Sequence, residues 1–99
     1  MATLHMLSHS PFSDNRLSSC LRLVGAADGV LLTGDAVYAL QPGTAHYQAL
    51  ALLADSIALF ALEEDLQARA LSAPARVGVV DYAGFVELSI RFDKVNSWL

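Results

Sequence analysis

A single cysteine, three histidines and several acids close to predicted strand ends are the residues here whose types could do chemistry. Cys20 is the only one able to act as a thiolate nucleophile or to carry a sulfane sulfur. It sits on the spacing Leu17, Cys20, Leu21, Val24, the i, i+3, i+4, i+7 stripe of an amphipathic helix, which reads equally as a small core residue. Arg16 and Arg22 could depress its pKa only by folding back toward it, and their spacing does not favour that. His5 and His9 fall on one side of an extended strand, with His9 beyond its end, and His46 is distant in sequence. No Cys/His or His/Glu pair has metal-ligand spacing, so no metal site is expected. Ser10 and Ser13 have no partnered base, which leaves no case for a serine nucleophile.

The acids follow predicted strands at Gly34-Asp35, Glu63-Glu64-Asp65 and Asp81-Tyr82, while Ser8-His9-Ser10 follows the first strand. In open parallel sheets ligands bind outside these carboxyl ends. None of the four turns is a glycine-rich phosphate loop, and the acids would repel an anionic nucleotide. A receiver-type magnesium pocket needs acids after the first strand as well, where this chain has Ser and His; helix capping accounts for each acid by itself. The sequence therefore contains no self-contained catalytic constellation and implies no cofactor. That argues for a scaffold or accessory subunit, with Cys20 the one candidate for covalent chemistry.

The elements that must position these residues centre on Ile57–Leu71. Ile57–Leu62 is uncharged and apolar, the pattern of a central strand buried on both faces, and Glu63, Glu64 and Asp65 suit the first turn of a following helix. Asp65 and Arg69 are spaced to pair, Leu62, Leu66 and Ala70 mark the inward stripe, and Pro74 ends the helix. Elsewhere, Thr3–Leu7 reads as a first strand, with Ser13 or Asp14 placed to cap a helix that runs to Gly25. Val30–Leu32 reads as a second buried strand, Asp35–Leu40 as a short helical stretch, and His46–Ala54 as a further helix. Val77–Val80 is expected to be a fourth buried strand, capped into the last helix by Asp81. Tyr82–Phe92 fits two periods; helix to about Ile90 is the expectation, with Ser97-Trp98-Leu99 as a short edge strand.

Ninety-nine residues allow one domain. A hydrophobic content of 55% exceeds what so small a domain readily hides, and implies apolar surface reserved for partner subunits. The longest uncharged run, Ala36–Ala54, is broken by Gln41, Pro42, Gly43, His46 and Gln48, so no membrane segment is expected. The N-terminus lacks a cationic region before an apolar core, and one cysteine cannot form an internal disulfide; both agree with a cytoplasmic protein. A net charge of −4 with scattered basic residues gives no footprint for direct nucleic-acid contact.

Leu4-His5 with Ser10-Pro11, Leu31-Leu32 with Asp35 and Val37, Ala61-Leu62 with Glu64-Asp65-Leu66 and Ala68-Arg69, Asp81-Tyr82 with Phe85-Val86, and Trp98 together resemble the DsrH/TusB family. The resemblance implies a three-layer α/β/α fold of DsrEFH type, a parallel sheet of four to five strands occupying residues 1–99 as a single domain. It further implies a heterohexamer with two copies each of three subunits, so that TusC-like and TusD-like chains are the partners. The TusBCD complex relays persulfide sulfur, received from a small carrier protein, toward 2-thiolation of the wobble uridine in certain tRNAs. Its DsrEFH counterpart serves sulfur oxidation. In both, the principal sulfur-carrying cysteine belongs to another subunit. Some DsrH relatives carry a cysteine in the first-helix region, near Cys20, and TusB relatives can lack one. Two roles stay open for the chain: a non-catalytic subunit, or a sulfurtransferase working through Cys20.

Overall fold

The computed structural model describes residues 2–98. Five strands, β1 (Thr3–Leu7), β2 (Gly29–Leu32), β3 (Ala58–Leu62), β4 (Val77–Val80) and β5 (Lys94–Trp98), form one sheet in the order β4-β3-β2-β1-β5. All four pairings are parallel, so helical crossovers must carry the chain back between strands. The crossovers contain α1 (Arg16–Leu23), a 3-10 helix (Gly34–Leu40) followed by α2 (Ala45–Ala51), α3 (Glu63–Ala68) and α4 (Tyr82–Arg91).

Alternation along the strands sorts these elements into layers. Leu7, Val30, Leu32, Leu59, Ala61 and Val77 point to one face, where they pack with Leu17 and Cys20 of α1, Val37 and Leu40 of the 3-10 helix, Leu50 of α2 and Leu66 of α3. Leu4 and Leu31 point to the other, where only α4 covers them through Leu88 and Phe92. The result is a three-layer α/β/α fold with a well-filled first face and a single helix on the second. Phe92 packs closely enough that a Cβ built on Gly29 would lie 2.7 Å from its ring.

The outline expected from sequence holds, with corrections that have physical causes. The centre of the sheet is β2, all of whose residues are buried, and β3 lies second from an edge. An uncharged run reports burial on both faces, which any interior strand experiences. β4 is an edge strand in which only Val77 is buried; Gly78 and Val79 are exposed. The N-cap of α1 is Asn15, with no side-chain cap bond; Asp14 instead accepts from the amide of Arg16, and the Ser13 hydroxyl donates to the carbonyl of Ser10. α1 ends at Leu23 and α2 at Ala51, both short of the expected bounds. α3 stops at Ala68 rather than at Pro74, because Ala70 turns into the left-handed region at φ 53° and is exposed, off the inward stripe. Asp81 does cap α4, accepting from the Gly84 amide at 2.8 Å, and the last helix runs to Arg91. The edge strand is longer than expected, starting at Lys94; Leu99 lies outside the described residues.

Candidate functional site

Cys20 occupies the inward stripe of α1 and is fully buried, at 0% exposure. Loss of solvent pushes its thiol up to about 12, and the negative charge of Asp28 adds to the shift. Arg16 does not fold back toward it: its guanidinium pairs with the carboxylate of Asp14. A buried thiol with so high a pKa is shielded from the bulky donors that thiolate exchange requires.

The carboxyl ends of β2 and β3 bring two of the acids singled out in the sequence, Asp35 and Asp65, to one cation. Arg69 donates to the Asp35 carboxylate at 2.8 Å and to the Asp65 carbonyl at 3.0 Å, and its Nη1 stands 3.7 Å from the Asp65 carboxylate. The other oxygen of Asp65 accepts from the amide of Gly34 at 2.7 Å, and the Tyr38 ring lies 5.7 Å from the guanidinium carbon. Chiefly through the bond to Asp35, Arg69 is held still more firmly in its charged form. Glu63 is turned to Gln67, and Asp81 caps α4, so these acids serve the ends of helices and turns. Beside them a cleft of about 310 Å³ opens among Met6, Ser8, Thr33, Leu62, Tyr82 and Phe85. It contains no cysteine or histidine.

The histidines do not converge. His46 meets Phe12 edge to face at 5.2 Å between ring centres, and His9 is exposed beyond β1. Among the described residues no group of three or more His, Cys, Asp or Glu is placed to hold a metal ion.

His5 belongs to a network that sequence spacing did not reveal. Its Nε2 lies 3.2 Å from Asp28 and its Nδ1 accepts from the indole of Trp98 at 3.2 Å. Asp28 also accepts from the amides of Thr3 and Gly25, each at 2.9 Å. Burial opposes ionisation of this carboxyl, but the Gly25 and Thr3 amides and the His5 ring outweigh it and hold it below the usual carboxylate value. The network joins β1, the turn before β2 and β5, and it faces the protein interior. A second arginine is structural as well: the half-buried Arg76 donates to the carbonyls of Leu50, Leu53 and Ile57, closing the turn after α2. It rims an apolar cavity of about 260 Å³.

What these features define is a small, all-parallel α/β protein with one enclosed thiol and polar groups committed to holding its own turns and edge strand. The fold is that of the ychN protein from E. coli, with a TM-score of 0.79 over 98% of this chain and 99% of that one, at 18% identity. The sequence model described as DsrH like protein matches residues 9–95, and the chain belongs to the DsrH family. It is 43% identical over 97 residues to Protein TusB of Erwinia tasmaniensis, covering 96% of this chain and 99% of that one. To the Protein TusB of Serratia proteamaculans it is 39% identical, and to that of Enterobacter sp. 35%, each over the same shares of the chains. No helix among the described residues is long and apolar enough to cross a membrane.

Proposed function

We propose that this chain is a non-catalytic subunit of a heterohexameric sulfur-relay complex, assembled with TusC-like and TusD-like subunits and serving 2-thiolation of the tRNA wobble uridine. Family membership and the TusB name of its relatives support the pathway. The enclosure of Cys20, the chain's only thiol, is the observation that carries the non-catalytic part. A relay passes sulfur between thiolates by attack at sulfur, which demands mutual access of both partners. Cys20 sits instead among Leu17, Val30 and Val37, so the relay cysteine belongs to a partner subunit and this chain contributes shape and contact surface. Direct contact with tRNA is not part of the reading, given the net charge of −4.

The test is complementation in cells lacking the corresponding subunit. Wild type and Cys20→Ala should restore thiolated tRNA equally and co-purify with the same two subunits. Loss of thiolation by an alanine variant that still assembles would overturn the non-catalytic assignment. Restoration of sulfur oxidation rather than tRNA thiolation would overturn the pathway.

A further inference from the structure

The carboxyl ends of the strands leave a crevice whose position follows from the topology. β3 and β4 are neighbours, yet β3 passes the chain to α3 on the first face, where Leu66 packs, and β4 passes it to α4 on the second, where Leu88 packs. Adjacent strands whose connections leave to opposite faces keep the space between those connections uncovered, and this is where open α/β sheets take their ligands. The cleft of about 310 Å³ lies there: Gly34 and Asp65 border it from the elements of the first face, Tyr82 and Phe85 from the start of α4. Met6 and Phe85, both packed against the Leu4 and Leu31 cluster, supply its apolar wall together with the buried Leu62. Such a volume, at the low end of the roughly 300–1,000 Å³ of small-molecule sites, suits a body of one or two rings.

The polar lining of the cleft is mostly acceptor. The Thr33 hydroxyl commits its proton to the carbonyl of Leu7 at 2.9 Å, which leaves its oxygen free to accept. The Gly34 amide is committed to Oδ2 of Asp65 at 2.7 Å. Oδ1 of Asp65 stands 3.7 Å from the Arg69 guanidinium, beyond hydrogen-bond distance, and so keeps acceptor capacity. Arg69 makes its shorter contact with Asp35, at 2.8 Å, so that Asp65 retains negative charge for another partner. Among the residues that line the cleft, Asp65 alone is charged, and none is Lys, Arg or His. A carboxylate or phosphate would meet that charge with no cation to answer it, whereas an ammonium brings three N–H donors and the opposite sign. The geometry points to a binding site for a small aromatic amine, its ammonium on Asp65 and Thr33 and its ring against Met6, Tyr82 and Phe85. Aromatic side chains favour both parts of such a ligand, the ring through edge or offset contacts and the cation through their faces. This site goes beyond the sulfur-relay reading and does not depend on it.

Titration of the purified full-length chain with tryptamine, followed by amide NMR shifts, tests the site. Saturable shifts at Gly34, Asp65 and Phe85 are expected, with a Kd of about 1 mM or tighter, as suits a ligand of this size. Indole-3-acetate, the same ring with the opposite charge, should bind at least about tenfold more weakly. Asp65→Asn should lower the affinity for tryptamine at least about fivefold and erase the preference over indole-3-acetate. Because Asp65 also holds Gly34, Tyr82→Ala provides a second variant, at an exposed side chain; it should weaken tryptamine at least about threefold with an unchanged melt. Asp55→Asn, which removes the same charge before the other end of β3, should leave binding as in the wild type. Absence of saturable shifts up to about 10 mM tryptamine would overturn the proposal. So would equal affinity for indole-3-acetate, or folded Asp65→Asn and Tyr82→Ala variants that bind as the wild type does. Shifts confined to Leu50 and Val77 would overturn it too, by placing the ligand in the apolar cavity beside Arg76.

Discussion

The indole N–H of Trp98 donates to Nδ1 of His5 across 93 positions of sequence, fixing the last strand of the sheet to the first. An indole N–H can only donate, so Nδ1 of the neutral ring must accept and Nε2 must carry the proton it offers to Asp28. Nitrogen NMR should accordingly find neutral His5 as the Nε2–H tautomer. Trp98→Phe removes one hydrogen bond at a half-buried site and should cost about 1 kcal/mol beyond the change in ring size. His5→Ala leaves Asp28 without its ring partner and should cost about 1–3 kcal/mol. Denaturant titration of the two variants checks the order.

The same carboxylate makes stability depend on acid. Asp28 is held below its usual value in the folded chain, with burial outweighed by the Gly25 and Thr3 amides and the His5 ring. Its contribution is therefore complete above the unfolded pKa of about 3.9 and is lost as pH falls through the folded value. Asp28→Asn should lower the urea midpoint at pH 7 and flatten the acid limb below about pH 4 relative to wild type. An unchanged acid limb would remove Asp28 from the account.

Much of the architecture was legible because local signals agreed with it. β1 and β4 have the expected residues, Asp81 reads as a cap from its place between an apolar strand and an apolar helical stripe, and the Asp65–Arg69 pair follows from a four-residue spacing. Tertiary choices were less legible. Nothing in Val77–Val80 distinguishes an edge strand from an interior one, since that depends on where the chain turns back. The chain returns after α4 to the far side of β1, and only this pairing brings Trp98 to His5, whose other ring nitrogen meets Asp28. Burial of Cys20 could be read from its stripe, whereas the convergence of Asp35 and Asp65 on Arg69 required two crossovers to begin side by side.

The Asp81 cap offers a test free of such long-range effects. Asp81→Ala should cost about 0.5–2 kcal/mol, and Asp81→Asn less, because the amide oxygen can still accept from Gly84. Equal losses in the two variants would mean that the charge, rather than the bond, holds the start of α4.

Gly34 is a second local test. Its φ of +50° favours glycine, and an added Cβ would approach the Ser8 carbonyl oxygen to 3.1 Å, while its amide is committed to Asp65. Gly34→Ala should cost about 1–3 kcal/mol through backbone strain. Asp35→Asn weakens only an exposed ion pair and should change stability by less than about 1 kcal/mol. Thermal melts of the two variants should therefore separate clearly, and overlapping melts would show that the turn relaxes around the new methyl group.

The last prediction concerns the thiol itself. With the Cys20 pKa pushed up to about 12 by burial, the thiolate fraction at pH 8 is only about one in ten thousand, and no reagent can reach it while α1 stays docked. Alkylation of the native chain should therefore be slow and track unfolding, accelerating with denaturant in proportion to the open population. Cys20→Ala deletes a small volume and should be mild, about 1 kcal/mol. Cys20→Ser should cost more, because its hydroxyl is buried in an apolar cluster where the Arg16 carbonyl, one turn back along α1, is what it can reach. A persulfidated donor mixed with the assembled complex should leave the mass of this subunit unchanged. One added sulfur on the folded, assembled subunit, removed by Cys20→Ala together with activity, would make Cys20 a relay thiol and require α1 to open during transfer.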